Sequence, residues 1–381
     1  MLNRFTLWVI LASATLTVMA GATLGPVVNL VREGLGIDPA SVGLIVTTHA
    51  LFVALFSPLA GSIIDRIGTK KPFMFGLVLY GLSGGSGLFI DSYWPLIVSR
   101  ALLGIAVAAT MNCTAVMILN LYQGAERNKV MGWRSSANNF GSVIFPLIGG
   151  GLGSLSWHMP FAIYLVGIPL AFLTLITIPQ TRHEKKQDQG KEGSVFKVFK
   201  NNYILFGICG LQFLTMVFLY INVVFLPQLL ETVGIADPFY ISLFFMAVWL
   251  PAGLTSLMYG RIKTRLSYKM IVLTALALWT VAFAAIYQAP SVLIIAVSVV
   301  LIGIGQGLIM PTFPVWAGET VPASFHGRII SYLSTIAHLG CFSSPILFGP
   351  VSSMLGFNGV YLVAGIICVL VFLLSLALMR K

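Results

Sequence analysis

The feature that most constrains this chain is its succession of long apolar runs, separated by short charged or turn-forming breaks, from residue 5 to residue 379. A helix needs roughly 20 mostly apolar residues to cross a bilayer. Runs of that order lie at 5–28, 40–60, 72–91, 95–119, 131–152, 159–179, 202–229, 239–259, 270–288, 291–317, 329–349 and 356–379. The pattern predicts twelve transmembrane helices. Only 9% of the residues are charged, against about 25% in average soluble domains, so the chain cannot cover a water-facing surface. The first run follows Arg4 and has the flanks of a signal peptide, but it is too long for one. It is expected to be a retained first helix.

The net charge of +11 is bland evidence for a nucleic-acid partner, and its placement argues against one. With a cytoplasmic N-terminus, every Lys and Arg except Arg32 and Arg100 falls on the inner side. That is the positive-inside bias, and it predicts that both termini are cytoplasmic in a cell membrane. Cys113, Cys209, Cys341 and Cys368 all fall within predicted spans and form no CxxC pair, so neither a disulfide framework nor a metal site is expected.

One long polar stretch, QTRHEKKQDQGKEGSVFKVFKNN, joins the sixth and seventh runs. It predicts a cytoplasmic linker at 181–201 between six-helix bundles at 1–180 and 202–381. The two bundles are related. GSIIDRIGTK at 61–70 aligns with GRIKTRLSYK at 260–269, LLGIA at 102–106 with LIGIG at 301–305, and Pro146 with Pro345, all at an offset of 199 residues. Six helices per copy is even, so both copies insert with one orientation. A repeat of this kind is characteristic of transporters whose cargo site lies between the halves near the midplane.

GSIIDRIGTKK at 61–71 resembles the loop 2–3 signature of the major facilitator superfamily, G-x-x-x-D-R-x-G-R-K-x. Gly61, Asp65, Arg66, Gly68 and Lys70 match, and Thr69 replaces Arg. The resemblance covers essentially the whole chain. It implies an all-α membrane protein of twelve transmembrane helices in two six-helix pseudo-repeat halves, working by alternating access. In the family this motif is thought to latch the cytoplasmic face, the carboxylate resting on a helix N-terminus of the other half. A carboxylate so placed gains ~0.3–1 kcal/mol, up to ~2 when partly buried. Arg66 is expected to tether neighbouring helices, and Gly61 and Gly68 to permit close approach and a turn. The second copy has Thr264 in place of the acid, so the latch is expected to be one-sided. Topogenic charge alone explains Lys70 and Lys71, but not Asp65 between spaced glycines.

LIVSRALLGIAVAA at 96–109 resembles the family's second motif, with Arg100 and Gly104 matching. An arginine in a span costs ~2.5–3.5 kcal/mol on insertion scales. We read Arg100 as facing a cavity, the alternative being that it snorkels to the outer headgroups. GSVIFPLIGGGLG at 141–153 resembles the motif of the antiporter branch. Gly141, Pro146, Gly149 and Gly150 match, and Phe145 stands where the central glycine should be. Pro146 permits a kink, and Gly149 and Gly153 have the spacing that lets helix backbones touch.

His49, Asn112, Asn138, Asn139, Gln212, Tyr220, Asn222, Gln306 and His338 fall at middle depths of runs that, by the resemblance, line a central cavity. They are expected to contact cargo, although interhelical hydrogen bonding is the plainer role for any one of them. The acids all lie in loops or near span ends. Proton coupling would then fall on His49, His338, or an acid such as Glu231 or Glu33, and neutral or anionic cargo is favoured over purely cationic cargo. GLSGG at 81–85 fits the serine-hydrolase elbow but lies inside a run, and neither a P-loop nor an HExxH is present; no catalysis and no cofactor are expected. The expected function is proton-coupled efflux of drugs or other small amphipathic compounds by a monomer. The alternatives are an uptake symporter for a small anion or metabolite anchored by Arg100, a transport-dead sensor, and a lipid-modifying enzyme.

Overall fold

The computed structural model describes residues 4–122, 124–178, 202–288, 291–321 and 326–379. All regular structure among them is helical. In chain order the helices are α1 (Arg4–Ala22), α2 (Val28–Leu35), α3 (Pro39–Ile67), α4 (Lys70–Gly85), α5 (Tyr93–Leu121), α6 (Gly124–Gly153), α7 (Gly167–Thr177), α8 (Tyr203–Thr232), α9 (Pro238–Lys263), α10 (Tyr268–Gln288), α11 (Val292–Thr320) and α12 (His326–Met379). A 3-10 segment, Met159–Val166, leads into α7.

Among the described residues, nine helical stretches are long and apolar enough to cross a membrane. One of them, Ile329–Ala377, covers two of the expected spans. It is interrupted at Gly356, whose φ of 71° and ψ of 178° belong to a region essentially confined to glycine. Two other expected spans are filled by α4, with only 16 residues, and by α6, which carries Glu126, Arg127, Lys129 and Arg134. The chain is a multi-pass membrane protein, and its exterior fits that solvent. Trp8, Phe172, Leu257, Val281 and Leu293 are all exposed. Eight prolines lie inside α3, α6, α8, α9, α11 and α12, a frequency that membrane helices tolerate and soluble ones do not.

The chain divides into two compact units, residues 1–38 with 44–192 and residues 39–43 with 193–381. The first turn of α3 therefore groups with the second unit. The expected linker at 181–201 lies outside the described residues. In the first unit α4 packs on α5 and α7, and α1 packs on α5, α6 and α7. In the second, α8 packs on α12, α9 on α11, and α10 on both α11 and α12.

The duplication extends to helix ends. α3 begins at Pro39 and α9 at Pro238; α5 spans 93–121 and α11 spans 292–320; α1 begins at 4 and α8 at 203. Each pair is separated by the same 199 residues that align the sequence motifs. One aromatic core position is shared as well. Tyr80 packs tilted against Tyr164 at 5.7 Å between ring centroids in the first unit. Its counterpart Trp279 meets a different neighbour, Phe218, edge-on at 6.0 Å in the second.

Candidate functional site

The α3–α4 turn is built around Gly68, whose φ of +81° no β-carbon would tolerate cheaply. Its amide donates to the Ile64 carbonyl at 2.9 Å, closing α3 so that the chain reverses into α4 at Lys70. The Lys70 ammonium donates to the Leu175 carbonyl at 2.9 Å. Leu175 is in the last turn of α7, so the cation sits at the negative end of a helix dipole and ties α4 to α7. The expected tether was Arg66, but Arg66 is exposed, and Lys70 supplies the described link. Gly61 was expected to allow a close helix approach. A β-carbon added there would meet nothing within 4 Å among the described residues, so they make no such approach at Gly61. The Asp65 side chain lies outside the described set.

Arg100 does not line a cavity. It is fully buried, and its contacts are with the protein, although one terminal nitrogen has no hydrogen-bond partner among the described residues. The other terminal nitrogen donates to the Gly84 carbonyl at 2.9 Å and the Ser83 carbonyl at 3.2 Å. Those carbonyls end α4, where helix carbonyls lack intrahelical partners. The charge also lies 5.0 Å from the centre of the Phe161 ring and 5.2 Å from that of Tyr164, within cation–π range. Arg100 therefore caps α4 and pins α4, α5 and the 3-10 segment together. In the second unit the corresponding position is Val299, so the clasp is peculiar to the first.

Gly104, one turn further along α5, serves contact. A β-carbon there would lie 2.3 Å from the His49 carbonyl oxygen of α3. Asn112 continues the same seam, donating to Ala108 at 2.8 Å and across to the Ser57 carbonyl at 3.4 Å. In α6, Gly149 abuts the Thr23 carbonyl at the end of α1, 2.1 Å from where its β-carbon would be. Gly150 and Pro146 are buried beside it. Gly141 explains the departure at Phe145: the Phe145 ring lies over Gly141, at 2.9 Å from an added β-carbon. The glycine that matches the motif makes room for the phenyl that breaks it.

The residues expected to contact cargo divide between the units. His49, Asn112 and Asn138 are partly or fully buried in the first, whereas Asn139 is exposed. In the second, Gln212, Asn222 and Gln306 are buried. Asn222 donates back to Phe218 within α8 at 3.0 Å. His338 Nδ1 lies 2.8 Å from the Ser334 carbonyl. A carbonyl only accepts, so Nδ1 carries the hydrogen and Nε2 is left to receive a proton. Gln306 is fully buried, and neither atom of its amide has a hydrogen-bond partner among the described residues.

A family model, Major Facilitator Superfamily, matches residues 10–224 and again 208–381. The chain belongs to the Major Facilitator Superfamily. Among its relatives, a bacillibactin exporter of Bacillus subtilis is 25% identical over 90% of this chain and 89% of its own length. A multidrug resistance efflux pump PmrA homolog of Lactococcus lactis is 24% identical over 87% of this chain and 84% of its own. Among solved structures, a mutant form of the nucleoside transporter NupG superposes with a TM-score of 0.83 at 15% identity, covering 98% of this chain and 99% of that one. That likeness is one of fold alone.

Sequence reasoning missed three features of this superfamily member. One is the Phe161–Tyr164 face under Arg100. The second is the pairing of His158 Nε2 with Asp91 at 2.9 Å between two loops of the first unit. The third is a stack in the second unit, where Lys263 lies 3.8 Å over the Tyr268 ring and Tyr268 stacks on Trp316 at 5.6 Å. Each joins residues on different elements with no spacing signature.

Proposed function

We propose that this chain is a proton-coupled exporter of small amphipathic compounds, working by alternating access in a cell membrane. The observation that carries the reading is the near full-length similarity to relatives named as exporters whose stated cargos differ, bacillibactin in one and multiple drugs in the other. Transport of a small molecule follows from the family; its outward direction and proton coupling are the proposal.

In this reading both termini are cytoplasmic, the protein acts as a monomer, and Asp65 on α3 biases which face is open. The glycine–proline run of α6 keeps α6 tight on α1, which suits a pathway that must not leak protons. His338, with its tautomer held by Ser334, is the favoured proton carrier, and Gln306 with Asn222 the favoured cargo contacts. Cargo is neutral or anionic, since the acids lie in loops or near helix ends. Against the rival reading, anion uptake anchored by Arg100, stands the engagement of one of its terminal nitrogens by the Ser83 and Gly84 carbonyls.

The test is transport in everted membrane vesicles from cells expressing the protein. Imposing an inward-acid gradient should drive compounds from an amphipathic panel into the vesicles, with proton release as they enter. Accumulation that proceeds only with co-directional proton movement would establish uptake instead.

A further inference from the structure

We infer that the first unit carries a seat for an anionic phospholipid, its phosphate on Lys71 and one acyl chain in a groove between α3, α4 and α5. The groove has a volume of about 270 Å³ and is lined by Ala60, Ile63 and Ile67 of α3, Phe75 of α4, Ile105 of α5 and, as the one cation among its described residues, Lys71. It is concave because small residues, Ala60 and Ala109, form part of its wall. Its flanks are not covered by the chain: Ile63 is 49%, Ile67 56% and Phe75 64% exposed.

The dimensions select the occupant. From Phe56 to Ile67 the groove follows α3 for about 16 Å at 1.5 Å per residue. That is half of the ~30 Å hydrocarbon core, the depth of one leaflet. A partner helix would need the full thickness, whereas an acyl chain needs one leaflet and a headgroup at one end. The charged end supplies the second selection. Lys71 is exposed at the groove mouth, and Arg66 in the last turn of α3 is exposed as well. Lys70 is already committed to the α7 carbonyl, so Lys71 is the cation that faces the groove. A cationic mouth over an apolar slot is complementary to a phosphate ester bearing net negative charge, and does not distinguish a zwitterionic headgroup by attraction. Assigning this leaflet to the cytoplasmic side rests on the orientation proposed above; the binding does not.

The experiment uses the purified full-length protein in a neutral detergent, and scores lipid retention by native mass spectrometry and thermal stability. The probes are phosphatidylglycerol, phosphatidylcholine with the same chains, and inorganic phosphate. Phosphatidylglycerol should be retained preferentially and raise the melting temperature, and inorganic phosphate should do neither. Lys71→Ala should weaken phosphatidylglycerol retention about fivefold, the effect of one cation near an anionic surface, with phosphatidylcholine unchanged; Lys71→Arg should restore it. Ala60→Phe, which fills the groove, should lower retention while leaving the melting temperature of the lipid-free protein within a few degrees. Should Ala60→Phe fail to fold, Ala109→Phe makes the same test. Equal retention of the two lipids, wild-type retention by both Lys71→Ala and the groove-filling variant, or stabilisation by inorganic phosphate alone overturns the proposal. Lipid retention is read without transport, so its outcome is independent of whether export is found.

Discussion

The carbonyl of His49 lies against Gly104 so closely that a β-carbon would stand 2.3 Å from the oxygen, and the carbonyl of Val248 stands 2.2 Å from the equivalent point on Gly303. His49 and Val248, like Gly104 and Gly303, are 199 residues apart. The same helix crossing, α3 on α5 and α9 on α11, is thus made once in each half and depends on the same missing side chain.

Backbone cannot swing aside as a side chain can, so Gly104→Ala and Gly303→Ala should each destabilise by about 1–3 kcal/mol, the usual cost of overpacking. Thermal unfolding of the two purified variants measures this. Unchanged melting temperatures in both would show that the crossing is looser than drawn.

Arg100→Ala should lower stability by about 2–4 kcal/mol, because it strips charged hydrogen bonds from two helix-end carbonyls and the cation from two aromatic faces. Arg100→Lys should recover only part, since an ammonium lacks the planar fork. A cargo anchor behaves otherwise. If Arg100→Ala melts like the wild type but loses transport, the α4 clasp is the wrong account of this residue.

Gln306→Leu should be neutral or stabilising for the fold. It removes a sealed amide with no partner among the described residues, relieving a penalty of about 1–3 kcal/mol. In the proposed function the same change should cut export at least tenfold. Loss of stability together with export would make Gln306 a packing residue; full export would remove it from the cargo path.

Asp65→Asn should slow turnover several-fold while expression and melting temperature hold, as befits a charge that biases a conformational equilibrium. Initial export rates in vesicles at matched protein levels supply the measurement. Wild-type rates would count against the latch.

Much of the architecture was legible in the chain because it is written in local terms. Run length, the charge asymmetry and Gly68 each depend on a few neighbouring residues, and the bilayer then leaves helices as the regular option for long apolar runs. The signature motifs were legible too, but several of their roles were not. Gly61, which matches the signature, has no described atom within 4 Å of where a β-carbon would be, while Lys70, explicable as mere topogenic charge, holds α7. The antiporter-type motif looked broken at Phe145 until the ring was found over Gly141.

What the sequence by itself determined was the membrane solvent, the order of the spans and the duplication, down to α3 and α9 starting on prolines 199 residues apart. Tertiary structure alone decided what the polar residues in the spans touch. Arg100 could have faced cargo, headgroups or protein; the aromatic pair at 161 and 164 settled it. The reason is geometric. Hydropathy records how deep a residue sits along a helix, whereas its partner depends on which way it points and on which distant helix lies there.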